Sequence, residues 1–160
     1  MQWVALIAVA VAALDQLSKW LIVRSISPVE TRVVISGFFS LVNWHNPGAA
    51  WGIFQNYGMA LTAISVLTVV ALWLFRHSLQ LHRPGPRVAL GLIAGGIVGN
   101  LIDRIRVGSV IDFLYFYVGQ YHWPAFNVAD SAICIGVGLY ILVSWRNDGA
   151  AEKGHAAISS

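Results

Sequence analysis

One cysteine, Cys134, stands in the whole chain, so no disulfide can form within it and cysteine usage says nothing about redox compartment. Its place inside an apolar stretch predicts a packing role. Charge is scarce as well: Asp, Glu, Lys and Arg make up 11% of the 160 residues, against 58% hydrophobic, which excludes an ordinary soluble domain. The formal charge of +3 is scattered rather than gathered into a stripe, which argues against nucleic acid as a partner. The five histidines include no HExxH, no serine sits in a GxSxG elbow, and the Gly-x-Gly-Asp pattern of presenilin-type peptidases is missing. Internal repeats and low-complexity segments are absent too.

What the chain does have is apolar length. Four stretches, at about 3–23, 59–75, 88–106 and 128–145, approach the roughly 20 residues that cross a hydrocarbon layer. The first reads as a retained span rather than a cleaved signal, because no basic region precedes it and the run resumes through Leu17, Trp20, Leu21 and Ile22. Arg76, Arg83 and Arg87 in the connection between spans two and three, with Arg146 and Lys153 in the tail, put both of these regions and both termini in the cytoplasm. Lys19, Arg24, Arg32, Arg104 and Arg106 lie toward the other face, so the short loop and the tail decide the orientation. Residues 1–146 form one integral membrane domain in this reading, and 147–160, rich in Gly, Ala, Ser and charge, form a disordered cytoplasmic tail.

With an even number of spans, the connections 24–58 and 107–127 emerge on one side of the membrane and can meet. The first carries Arg32-Val-Val-Ile-Ser and Phe38-Phe-Ser-Leu-Val-Asn-Trp-His around Gly37, which reads as a short hairpin. The expected fold is therefore an all-α membrane protein with four transmembrane helices and a small extracytoplasmic β-hairpin or sheet between helices 1 and 2.

Ionisable residues inside spans are costly, so each is a functional hypothesis or part of a paired network. Asp15, Ser18 and Lys19 share a face of span one, where acid and amine can pair. Gly91, Gly95 and Gly99 make a face of span three on which another backbone can approach closely, and Asn100, Asp103 and Arg104 follow. Span four opens with Asn127, Asp130 and Ser131 on one face. Asp112 lies in an otherwise apolar segment, Gly108-Ser-Val-Ile-Asp-Phe, toward the same membrane face as Asp130. Two carboxylates sharing a site cannot both ionise cheaply: one keeps a proton while the other accepts one from water. That division suits peptide hydrolysis, yet spacing alone leaves any two of Asp15, Asp103, Asp112 and Asp130 as the pair. A competing reading is a small proton or ion translocator with the intramembrane acids as a relay, against which stands a second span without any titratable group.

Four blocks together resemble the lipoprotein signal peptidase family, signal peptidase II. They are Asp15-Gln-Leu-Ser-Lys19, Asn46-Pro-Gly-Ala-Ala-Trp51, Gly99-Asn-Leu-Ile-Asp-Arg104 with Val110-Ile-Asp-Phe113, and Pro124-Ala-Phe-Asn-Val-Ala-Asp-Ser131. The resemblance implies a bacterial inner-membrane aspartic endopeptidase, metal-independent and without a cofactor. Its substrates would be diacylglyceryl-modified prolipoproteins, cut before the lipidated cysteine at the extracytoplasmic face, with membrane lipids around a monomer. It selects Asp112 and Asp130 as catalytic. It assigns Asn46, Gly48, Asn100, Arg104 and Asn127 to substrate binding or support, and leaves Asp15, Lys19 and Asp103 as structural polar positions. Pro47 and the Trp51-Gly52 pair depart from the family pattern and bear on substrate fit rather than on the reaction.

Overall fold

A computed structural model describes residues 1–48, 57–79 and 81–158, with side chains through Trp145. Ala49 to Trp51 of the second motif block, and Gly52, lie outside the described residues. The elements run α1 (Gln2–Ser25), β1 (Arg32–Ile35), β2 (Phe39–Asn46), α2 (Gly58–Leu74), α3 (Pro84–Val107), β3 (Val110–Val118), β4 (Tyr121–His122) and α4 (Val128–Ile158).

Local chemistry explains the boundaries. Pro84 opens α3, where its missing N–H costs nothing. Gly108 closes the same helix in the left-handed region, φ 75°, with its N–H on the Arg104 carbonyl at 3.1 Å. The apolar runs form the helices, and their outer residues, among them Trp3, Leu6, Leu14, Leu67 and Ile141, are exposed. So much outward apolar surface fits a hydrocarbon solvent. Three helical segments, Gln2–Ser25, Pro84–Val107 and Val128–Trp145, are long and apolar enough to cross a membrane. The second expected span is apolar but has only 17 residues as α2, roughly 25 Å of helix against a core of about 30 Å.

The β structure is larger than the expected hairpin. A four-stranded antiparallel sheet in the order β1-β2-β3-β4 draws half its strands from the connection between α3 and α4. Val110-Ile-Asp-Phe-Leu-Tyr-Phe-Tyr-Val is β-branched and aromatic almost throughout, and it pairs with β2 from Asn46↔Val110 to Phe39↔Phe116. The expected helical fold with a small sheet holds in that coarser form, with two of the four strands supplied by the α3–α4 connection. The sheet sits on the end of α1, where Ile22, Ile26 and Phe113 make a small apolar core with Leu41, Leu114 and Val128.

Helical backbone continues through Ile158, across the segment 147–158, where four alanines, Glu152 and Lys153 favour helix.

Helix α3 is the centre of the bundle, flanked by α1 and α4. On the α1 side, a Cβ at Gly95 would lie 2.7 Å from both the Ala8 carbonyl oxygen and the Val11 Cβ, and one at Gly91 would lie 2.7 Å from Ile7. On the other side Gly96 lies against the Ala129 carbonyl of α4. Backbone and branched stems cannot step aside, so Gly95→Ala should cost about 1–3 kcal/mol. A lowered thermal midpoint in detergent is the expected result; an unchanged midpoint would show that α1 and α3 are not so closely packed.

Candidate active site

Five elements deliver polar side chains to one place below the sheet. Asp15 and Lys19, one turn apart on α1, pair at 2.8 Å with both side chains wholly inside the bundle. The Lys19 Nζ has three hydrogens and three acceptors: Asp15 Oδ2, Asp103 Oδ2 at 2.6 Å and Asn100 Oδ1 at 2.9 Å. The remaining carboxylate capacity ties elements together. Asp15 Oδ1 accepts the Ala129 N–H at the start of α4 (2.9 Å), and Asp103 Oδ2 accepts the Ile111 N–H of β3 (3.2 Å). Gln16 adds a link from α1 to α3, donating Nε2 to Asp103 Oδ1 at 2.8 Å and to the Gly99 carbonyl at 3.1 Å.

Above this ionic layer lies an amide layer. Because Asn100 turns its oxygen to the Lys19 ammonium, its Nδ2 is left to donate to Asp130 Oδ1, at 2.7 Å. Asn127 precedes α4 and caps it reciprocally with Asp130. The Asp130 N–H reaches Asn127 Oδ1 at 2.9 Å, and Asp130 Oδ2 accepts the Asn127 N–H at 3.2 Å. The Asn127 Nδ2 then donates to Asp112 Oδ1 at 2.8 Å, while Asn46, two positions beyond Trp44 (the partner of Asp112 in the β2–β3 register), donates to Asp112 Oδ2 at 3.0 Å. Both acids are thus held by asparagine amides, and Asn127 touches both.

Asp112 and Asp130 open onto one cavity of about 620 Å³. Its polar wall is Asn46, Gly48, Asn100, Arg104 and Ser131; its apolar wall includes Val110, Trp123, Phe126 and Ile133. Arg104 donates Nη2 toward the Gly48 carbonyl at 3.5 Å. Burial, then the charge of Asp130 beside it, pushes the Asp112 carboxyl from the ordinary carboxylate range up to about 7, against the opposing hydrogen bonds from Asn46 and Asn127.

Ten of the positions singled out in the sequence therefore fall in or directly beneath one site. Asp112, Asp130, Asn46, Gly48, Asn100 and Arg104 face the cavity, while Asn127, Asp15, Lys19 and Asp103 lie behind them. Sequence reasoning passed over Gln16, although a glutamine in the midst of an apolar run was a visible signal. It also passed over Trp123 and Phe126, whose place in the wall depends on how the β3–α4 connection folds back, through the Leu114↔Phe126 bridge. Cys134 is not packed as expected: it is exposed and lines the cavity mouth.

Comparison with known proteins agrees with this geometry. A sequence model of the family described as Signal peptidase (SPase) II matches residues 7–146. The lipoprotein signal peptidase of Syntrophotalea carbinolica is 48% identical, covering 89% of this chain and 90% of its own length. That of Desulforapulum autotrophicum is 44% identical over 85% and 87%, and that of Bacillus pumilus 40% over 92% and 95%. A bacterial membrane enzyme solved by the in meso method at 2.3 Å superposes with a TM-score of 0.84 at 32% identity, covering 92% of this chain and 90% of that one. A second, solved at 1.9 Å, gives 0.74 at 32% identity, over 89% and 92%. With a family match over nearly the whole apolar chain and relatives of similar length, the chain belongs to the signal peptidase II family.

Proposed function

We propose that this chain removes the signal peptide from diacylglyceryl-modified bacterial prolipoproteins, cutting before the lipidated cysteine, with Asp112 and Asp130 as the catalytic pair. The observation that carries the assignment is the asparagine-bridged approach of these two acids to one cavity, while Asp15 and Asp103 are consumed by the Lys19 ammonium and by backbone N–H groups.

In the proposed mechanism the pair shares one proton. The ionised member takes a proton from a water whose oxygen attacks the scissile carbonyl carbon. The protonated member donates to the carbonyl oxygen as negative charge develops there, and the proton taken from water goes to the departing nitrogen. Arg104 remains charged, so it can hold a carbonyl or carboxylate of the substrate beside Gly48 but cannot serve as a base. Asn46, Asn100 and Asn127 orient the acids, and the apolar wall suits a lipid-bearing or signal-helix surface.

The topology that goes with this reading has four crossings, including the short α2. Both termini are cytoplasmic, the sheet and cavity lie at the extracytoplasmic face of the bacterial inner membrane, and residues 1–146 act as one monomeric domain. A scissile bond beside a lipidated cysteine lies at the membrane surface, where a strand acid and a helix-end acid converge. A proton or ion relay finds no support, since the buried acids gather at one site and the relatives are peptidases.

A pH profile tests the shared proton. With Asp112 raised to about 7, the proton is present below that value and lost above it, so the rate should fall as pH rises through about 7, close to tenfold per unit on the alkaline side. Steady-state cleavage of a lipidated prolipoprotein in micelles between about pH 5 and 9 is the measurement. A rate that keeps climbing through that range would contradict a protonated partner.

A further inference from the structure

A second cavity, about 330 Å³, lies at the other end of the bundle and shares no lining residue with the active site. It exists because α1 and α2 each pack on α3 but scarcely on each other. Small side chains, Ala5 and Ala8 of α1 and Ala94 of α3, leave its floor open, and Leu72 of α2 forms a side. Among the described residues that line it, one has a charged side chain. Arg76, just past α2, lays its guanidinium over Trp73, 4.5 Å from the ring centroid, and donates one Nη1 hydrogen to the Trp73 carbonyl at 2.8 Å. Its other hydrogens have no carboxylate partner among the described residues. Residues 76–87 carry three arginines and no acid. Arg87, bonded to the Leu81 and His82 carbonyls, holds the turn that closes this end.

We infer that this groove is a binding site for one anionic membrane phospholipid, with an acyl chain between α1 and α2 and the phosphate at Arg76. The inference rests on the helices lying in a bilayer. An apolar slot between spans cannot hold water cheaply, and it is of a size that takes part of a chain. A cationic residue at the mouth of such a slot favours a negatively charged headgroup. Charge complementarity thus selects an anionic lipid over a zwitterionic one with the same tails.

Native mass spectrometry of the delipidated protein, titrated with phosphatidylglycerol or with phosphatidylcholine of identical acyl chains, tests the site. The expected result is one saturable phosphatidylglycerol adduct, bound at least about fivefold more tightly than phosphatidylcholine. Arg76→Gln should bring the two lipids close to parity. Ala5→Phe and, from the opposite wall, Val69→Phe should weaken both. Retained prolipoprotein cleavage by the variants shows them folded, and the lipid readout itself does not depend on peptidase activity. Equal binding of the two lipids by wild type, or adducts insensitive to both groove-filling changes, would overturn the inference. So would a mass of two chains without lipid, which would give the groove to a second copy.

Discussion

Asp130→Asn leaves a folded chain that cleaves a diacylglyceryl-modified prolipoprotein at least roughly 10³-fold more slowly than wild type. The size follows from what is removed. An asparagine at 130 can still accept the Asn127 N–H and extend α4, so the cap and the helix start survive. It cannot exchange a proton with water, and general acid–base transfer by one positioned group accounts for about 10²–10⁴ in rate. One local cost is foreseeable: the single amide oxygen can meet the Asn127 N–H or the Asn100 Nδ2 but not both, so one of these donors is left facing the new NH2 group. Circular dichroism and the thermal midpoint separate that cost from the chemical one. A slow but well-folded variant supports the dyad; a variant as fast as wild type removes Asp130 from the mechanism.

The second large effect is on stability. Lys19 is 1% exposed and pairs with two buried carboxylates at once while orienting Asn100. In Lys19→Met the hydrocarbon stem is kept, but Asp15 and Asp103 are left facing each other inside the bundle with no cation. Removing one partner of a buried ionic group costs about 3–5 kcal/mol, because the other charge stays behind unpaired. The expected outcome is a variant that accumulates poorly in membranes and melts far below wild type. Adding Asp103→Asn should recover part of the loss, since a neutral amide can keep the Gln16 or Ile111 contact without an unpaired charge. No recovery in the double variant, or a stable Lys19→Met, would mean that the ionic layer is not what holds α1, α3 and α4 in register.

These effects also show which parts of the molecule were readable beforehand. Features set by local spacing were legible. The pairing of Asp15 with Lys19 follows from i, i+4 geometry, the glycine face of α3 from its four-residue interval, and the grouping of Asn127 with Asp130 from a helix start after Pro124. Separate partners for Asp103 and Arg104 follow from their directions as helix neighbours, and the structure gives one to Lys19 and the other to Gly48.

Features set by distant pairing were not legible. Val110–Val118 becomes a strand because β2 lies ready to receive it, and its nearly continuous apolar character masks the alternation that would have marked it. Consequently the sheet looked like a hairpin. Trp123, Phe126 and Cys134 join the cavity only through that fold-back. The selection of Asp112 and Asp130 from four acids was beyond spacing altogether. It needed the family resemblance, and the geometry supports that proposal. Asp15 and Asp103 spend their oxygens on an ammonium and on backbone donors, whereas Asp112 and Asp130 are held by neutral amides beside an open volume.

That distinction rests most directly on one experiment. Wild type and Asp112→Asn, each purified and shown to be folded, are incubated with a diacylglyceryl-modified prolipoprotein, and the products are identified by mass spectrometry. The account predicts that wild type releases the signal peptide and a chain beginning at the lipidated cysteine, while Asp112→Asn leaves the substrate intact over the same time. Cleavage by Asp112→Asn at the wild-type rate, or cleavage by wild type at another bond, would contradict it.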